Sequence, residues 1–292
     1  MKYVFFGTPE FSKIVLQKLI SANFIPLAVV TNPDRPSGRK RILTAPPAKL
    51  QITNNKLQIR ILQPEKLDHQ FIQEIKNLGV KMGVLAAYGK IVPQELIDVF
   101  PKGIIVVHPS LLPKYRGATP IQSAILAGEQ ETGTTLIVID DKVDHGPVLA
   151  YSKWQIANGE NYESLAKNLA ELSGNLLIET LPKYYAGKII PQPQNHHKAT
   201  YTKKFIGEDG FVESDDLEIA IEKNTPPTLH EELRKGKAEE IWRKVRALNP
   251  EPGIYTIKNN RRMKILEADL IENKLVLKKI QFEGEKIKSL SG

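Results

Sequence analysis

Hydrophobic positions in the first two thirds of the chain fall into short unbroken runs separated by stretches with helical spacing. KYVFF (2–6) is an apolar strand that stops at Gly7, and Pro9 suits the first turn of a helix. In that helix Phe11, Ile14, Val15, Leu16 and Leu19 recur about every 3.6 residues. PLAVVTN and LQIRILQP read as the next strands, the second leading into a helix through Phe71, Ile72, Ile75 and Leu78. VKMGVLAAYG (80–89) and GIIVVH (103–108) are buried strands on either side of a helix over 93–100. Unbroken apolar strands alternating with helices predict an α/β fold, Rossmann-like, with a mainly parallel sheet. A dinucleotide-binding turn needs G-x-G-x-x-G after the first strand, and only Gly7 is present in FFGTPEF, so a nicotinamide or flavin nucleotide is not expected there.

Further on, TTLIVIDDKVDHGPVL (134–149) is an apolar strand that breaks into an acidic loop, and 161–181 is a Leu- and Ala-rich helix. PQPQNHHKATYTKK (191–204) has neither helical nor strand period and reads as a linker. A helix over about 237–248 follows, and then the strands GIYTI, MKILEADL and KLVLKKIQF, divided by Asn259-Asn260 and Glu272-Asn273. Such a meander can close into a small barrel of the OB type, a shape often used on nucleic acids. The expected organisation is a domain over 1–190, a linker over 191–207 and an OB-like domain over 208–292.

Composition changes this picture little. There is no apolar run long enough to span a membrane, and the N-terminal apolar stretch is too short for a secretory signal. The absence of cysteine excludes disulfides, thiolate nucleophiles and cysteine-ligated zinc, and a cytoplasmic location fits. The adjacent His196 and His197 have neither cysteines nor a carboxylate cluster beside them, so no metal is expected. Net charge is +8, and its distribution is more informative. Residues 35–49 hold Arg35, Arg39, Lys40, Arg41 and Lys49 and no acid; residues 258–264, with Arg261, Arg262 and Lys264, are also purely basic. Two such runs suit a phosphate backbone. From residue 200 onward, 18 Lys and Arg against 17 Asp and Glu leave about +1, so the excess lies in the first domain.

The densest group of unusual residues is HPSLLPKYRGATP (108–120), where a histidine ends a buried strand. In open α/β sheets the carboxyl ends of strands border the binding crevice. If the 134–149 strand lies beside the first, its acidic loop brings Asp140, Asp141 and Asp144 to His108. A carboxylate near an imidazole raises its basicity and fixes its tautomer, as proton transfer requires. No G-x-S-x-G elbow accompanies the pair, so a hydrolase triad is not supported.

The order H-x-S-L-L-P-x-x-R-G-x-x-P (108–120), E-T-G-T-T (131–135) and D-x-G-P-V-L (144–149) resembles the 10-formyltetrahydrofolate-dependent formyltransferases. FFGTPEF, NPDRPSGRKR, AAYGKIVP, RALNPEPGIYT and RRMKILEA make the chain similar to the methionyl-tRNA formyltransferase family. The likeness weakens over 205–237, and the last domain is shorter than the family's usual one. The resemblance implies transfer of the formyl group of 10-formyltetrahydrofolate to the α-amine of methionine on initiator tRNA, without a metal, by a monomer. It gives His108 proton transfer or oxyanion stabilisation and Asp144 the orienting of His108. The folate would lie against Ala86, Ala87, Tyr88, Gly89, Lys90, Ile91 and Val92, with Ser110, Leu111, Leu112 and Pro113 and the loop residues Asp140, Asp141, Lys142 and Val143. Arg35, Arg39, Lys40 and Arg41, with Arg261, Arg262 and Lys264, would meet the tRNA.

One position departs from the family pattern, which places asparagine two residues before the histidine; here it is Val106. On a strand, residues i and i+2 share a face, so the asparagine amide would donate into the pocket that the histidine serves. Valine keeps the volume and loses the donor. Weakened or compensated activity is the expectation, with a non-catalytic folate- or tRNA-binding protein as one alternative. A formyltransferase for a sugar amine or a glycinamide nucleotide is the other. It leaves the basic insert and the RALNPEPG segment without a purpose.

Overall fold

The computed structural model describes residues 1–38, 40–221 and 229–290. The chain begins β1 (Tyr3–Gly7), α1 (Glu10–Ser21), β2 (Ala28–Val30), β3 (Arg35–Ser37), β4 (Ile42–Thr44), α2 (Pro47–Thr53) and β5 (Arg60–Leu62). It continues through α3 (His69–Asn77), β6 (Met82–Ala86), α4 (Gln94–Ile97), β7 (Ile104–His108), β8 (Arg116–Gly117) and α5 (Pro120–Ala127). Then come β9 (Glu131–Val138), β10 (Val148–Gln155), α6 (Tyr162–Tyr185), β11 (Tyr201–Thr202), α7 (Ser214–Ile221) and α8 (Leu229–Leu248). The last strands are β12 (Ile254–Lys258), β13 (Arg261–Ile271), β14 (Lys274–Phe282) and β15 (Lys288–Ser289).

Two compact units emerge, and the chain passes between them several times. One comprises residues 1–117, 131–155 and 166–201; the other comprises 118–130, 156–165 and 202–292. In the first, a seven-stranded sheet runs β10-β9-β7-β6-β1-β2-β5. Five strands, from β7 to β5, are parallel, which confirms the Rossmann-like core read from the hydrophobic runs. β9 and β10 are antiparallel additions at one edge.

Alternation along the parallel strands distributes the core over both faces of the sheet. Tyr3, Phe5, Val84, Ile105 and Val107 pack with Val15, Leu16 and Leu19 of α1 and with Ala170, Leu177 and Leu181 of α6. Val4, Phe6, Val30 and Ile104 pack with Phe71, Ile72 and Ile75 of α3 and with Leu96 and Phe100. Side chains of period two must divide in this way when both faces are covered. On β7, therefore, Val106 and His108 face away from the side that Ile105 and Val107 fill.

In the second unit β12, β13, β14 and β15 form an antiparallel meander in that order, with α7 and α8 against it. The meander is present as expected, and the pairing is that of a four-stranded sheet with β12 and β15 outermost, Phe211 bridging to Tyr255 on the outer side of β12. α8 begins at Leu229, earlier than its apolar spacing suggested, because a run of Glu, Arg and Lys extends it on a polar face. The β3–β4 hairpin, formed by the basic insert, and α7 carry little apolar periodicity and were not anticipated.

Phe5 is fully buried between the sheet and α1. Phe5→Ala is expected to cost about 3–5 kcal/mol of stability, read as a lower midpoint in urea unfolding at unchanged slope.

Candidate active site

β7 ends on His108, which is 4 % exposed, and Val106 lies two residues earlier at 8 %. The His108 Nε2 is 2.9 Å from the Tyr115 carbonyl oxygen, an acceptor, so that nitrogen carries a proton. Its Nδ1 lies 3.5 Å from Asp144 Oδ2, and the same oxygen accepts the Gly117 N–H at 2.8 Å. The structure thus brings together the histidine and the aspartate expected to act as a pair.

How they meet differs from the simple expectation of neighbouring strand ends. β9 is antiparallel to β7, with Val138 opposite Ile105 and Thr135 opposite His108. The acidic loop is therefore rooted three residues upstream of the histidine, about 10 Å away at the usual strand rise. It has to fold back along the strand for Asp144 to reach the ring. At the root Ile139 N–H donates to Ile104 O and Val138 N–H to Pro147 O. Gly146 seats against the Val138 carbonyl so closely that a Cβ there would collide with it. Asp144 itself takes left-handed backbone, with φ of 48°. That conformation is uncommon for a residue with a side chain and has to be held by its surroundings.

Other predicted residues divide by location. Ser110 is fully buried; its hydroxyl donates to Lys114 O, and its carbonyl accepts from Thr135 Oγ1, which also accepts the Leu112 N–H. That hydroxyl is committed to closing the loop that contains Leu111 and Pro113, and is not available as a substitute donor beside Val106. Asp140 accepts from the Lys142 N–H and lies 2.6 Å from His145 Nδ1, while Asp141, Lys142 and Val143 are exposed. At the end of β6, Ala86 O accepts from Ser12 Oγ. Ala87 and Gly89 take positive φ, and Tyr88 is buried beneath Phe6 with its carbonyl accepting from Thr8 Oγ1 and Asn32 Nδ2. Burial pushes the Tyr88 phenol up to about 12. Lys90 donates to the Pro64 and Glu65 carbonyls, Ile91 is exposed, and Val92 packs on the adjoining core.

The basic residues are less uniform than their sequence runs suggest. Arg35 pairs with Glu65, Lys40 and Arg41 are exposed, and Arg39 lies outside the described residues. Arg261 pairs with Glu285. Arg262 lies 3.6 Å over the Tyr255 ring, and with Lys264, Trp242 and Arg246 it lines a cavity of about 630 Å³. Burial, with Arg243 close by, lowers the Arg246 guanidinium to about 10.

Sequence reasoning missed Gln194, in the stretch read as a linker. It is buried and donates from Nε2 to the carbonyls of Asp144 and Gly146. The same stretch returns to the sheet, where Gln192 and Val148 exchange backbone hydrogen bonds, and then to the separate β8–β11 pair, beside which Thr200 O accepts the Arg116 N–H. No periodicity marks a side chain whose work is to hold backbone, so only the unusual polarity of PQPQN hinted at it.

Residues 1–181 match the formyl transferase family model, and residues 235–289 match that of the formyl transferase C-terminal domain. A methionyl-tRNA formyltransferase of Dictyoglomus turgidum is 38 % identical over 275 residues, 93 % of this chain and 80 % of the relative. The chain belongs to the methionyl-tRNA formyltransferase family. Among solved structures, the methionyl-tRNA formyltransferase from Clostridium thermocellum has a TM-score of 0.58 at 14 % identity, covering 100 % of both chains. HypX from Aquifex aeolicus, in complex with tetrahydrofolic acid, has a TM-score of 0.62 at 14 % identity over 99 % of this chain and 46 % of its own. Both share the fold. No described helix is long and apolar enough to cross a membrane.

Gly146→Ala is expected to lower stability by about 1–3 kcal/mol, because the added methyl meets backbone that packing holds. Amide exchange over 139–147 should accelerate more than exchange in β1 or β6.

Proposed function

We propose that the chain transfers the formyl group of 10-formyltetrahydrofolate to the α-amine of methionyl initiator tRNA, as a monomer in the cytoplasm. The observation that carries this reading is the His108–Asp144 pair at the end of a central strand of a formyltransferase fold. Membership in the family and the basic β3–β4 hairpin support the substrate.

A polar heterocycle such as the pterin fits the turn after β6. Asn32 Oδ1 is buried with no hydrogen-bond partner among the described residues, beside the Tyr88 carbonyl that its own amide nitrogen holds. An amino group of the ring would complete that acceptor, and the exposed residues Gly89 and Ile91 would border it. When bound, the folate supplies the formyl carbonyl that the amine attacks and the nitrogen that departs.

The chain's own part is to handle protons and charge. Attack forms the new C–N bond, places negative charge on the carbonyl oxygen and leaves a proton to be removed from the amine. Tyr115 O fixes a proton on His108 Nε2, so Nδ1 is the position that can take up another. The cation formed there is offset by Asp144 Oδ2, which Gly117 N–H holds in place. Return of that proton to the departing folate nitrogen completes the transfer. Val106 supplies no hydrogen bond to the oxyanion, and the missing donor lowers the rate by about 10²–10³, or about 3–4 kcal/mol.

Val106 is also what favours a second reading, a protein that binds folate and tRNA without turnover. A formylation assay with methionyl-tRNA separates the two. Slow product from the native chain and a rise of about 10²-fold or more in Val106→Asn are expected. No product from the native chain, with rescue by the substitution, would establish the binding reading. Equal rates would remove Val106 from the account.

A further inference from the structure

Asp144 keeps an uncommon backbone conformation in a loop that folds back on its own sheet, and a small number of buried groups hold it there. The Gln194 side chain donates from Nε2 to Asp144 O at 2.9 Å and to Gly146 O at 2.8 Å, so both hydrogens of one amide are used on the two sides of His145. Its Oε1 accepts from Arg116 Nη2 at 2.6 Å. Arg116 is 1 % exposed and Gln194 7 %, so neither is a casual surface contact. The guanidinium is held in turn by Tyr201 Oη at 3.2 Å and by His196 Nδ1 at 2.9 Å. The His196 ring stacks on His145 at 3.9 Å between centroids and 5° between planes. His145 Nδ1 meets Asp140 Oδ2. The two sides of the loop are thus tied to one buried amide whose orientation the arginine sets.

Building on the function proposed above, we infer that Gln194 is a positioning residue that acts through Asp144, with Arg116 fixing which way its amide faces. A glutamine amide has one donating end and one accepting end, and the assignment here is decided by its partners. The loop carbonyls can only accept and the guanidinium can only donate, so the nitrogen must face the loop. Held so, the backbone of Asp144 directs its carboxylate at Gly117 N–H and His108 Nδ1. If the amide is lost, two buried carbonyls lose their donor and the left-handed residue loses what stabilises it. Toward methionyl-tRNA the effect belongs to kcat, because the groups disturbed handle the proton and are not the basic residues expected to meet the tRNA.

Two variants separate donation from packing. Gln194→Glu keeps the shape and the acceptor toward Arg116 while removing both donated hydrogens; Gln194→Leu removes everything polar. Both are expected to lower kcat about tenfold or more with little change in KM for methionyl-tRNA. In both, the Gly117 amide proton, which reports directly on Asp144 Oδ2, is expected to shift upfield and exchange faster. Thermal melting identifies any variant that fails to fold, and the glutamate variant retains the arginine contact should the leucine variant fail. Gln194→Glu behaving as wild type in kcat and at the Gly117 amide would overturn the inference. The amide measurement needs no turnover. If the native chain proves inactive, a moved Gly117 resonance still supports the positioning role, and an unmoved one removes it.

Discussion

Everything in the site rests on the return of the 139–147 loop. The antiparallel entry of β9 fixes its root opposite Ile105, while the histidine it serves is at the other end of β7. A short loop that doubles back buries backbone polar groups, and each of those needs a partner. Here the partners are specific. Pro147 O takes the Val138 N–H, Ile104 O takes the Ile139 N–H, and the Gln194 amide satisfies the carbonyls of Asp144 and Gly146. The carboxylate that results is oriented by Gly117 N–H before any substrate arrives. Preorganisation of this kind contributes most where charge develops during reaction, since no rearrangement is then required.

The sheet supplies the rigidity that such an arrangement needs. On β7 the residues directed to one face, Ile105 and Val107, sit in the core with α1 and α6, while Ile104 anchors the opposite face with α3 and α4. His108 comes at the end of this clamped strand, and its ring is immobilised by the Tyr115 carbonyl. Polar residues that could have competed for the pocket are used elsewhere, as Ser110 shows by closing its own loop on Lys114. Val106, two residues before His108 on the same face of β7, has no hydrogen-bonding group to offer beside the ring.

Much of this was legible in the chain because hydrophobic runs report burial directly. β1, β2, β6 and β7 were visible as continuous apolar segments, and His108 and Asp144 as polar residues at the ends of two such segments. Direction was not legible. An apolar strand such as TTLIVI gives the same pattern whether its neighbour runs with it or against it, so the antiparallel edge and the folded-back loop had to be seen. Gln194 escaped for a related reason. Its two hydrogen bonds go to backbone 48 and 50 residues away, and no local spacing encodes a partner at that distance. The basic runs overstated free charge, since Arg35 and Arg261 pair with Glu65 and Glu285, which are remote in sequence.

The central claim is that His108 and Asp144 act as one unit, the carboxylate working only through the imidazole. A double-mutant cycle on formyl transfer measures this directly, using His108→Ala, Asp144→Ala and both together. Residues that act as a unit are strongly non-additive in their effects on rate. The double variant should be no slower than His108→Ala alone, so that Asp144→Ala costs nothing once the ring is gone. Losses that multiply would show that Asp144 contributes independently of His108, and would contradict the account.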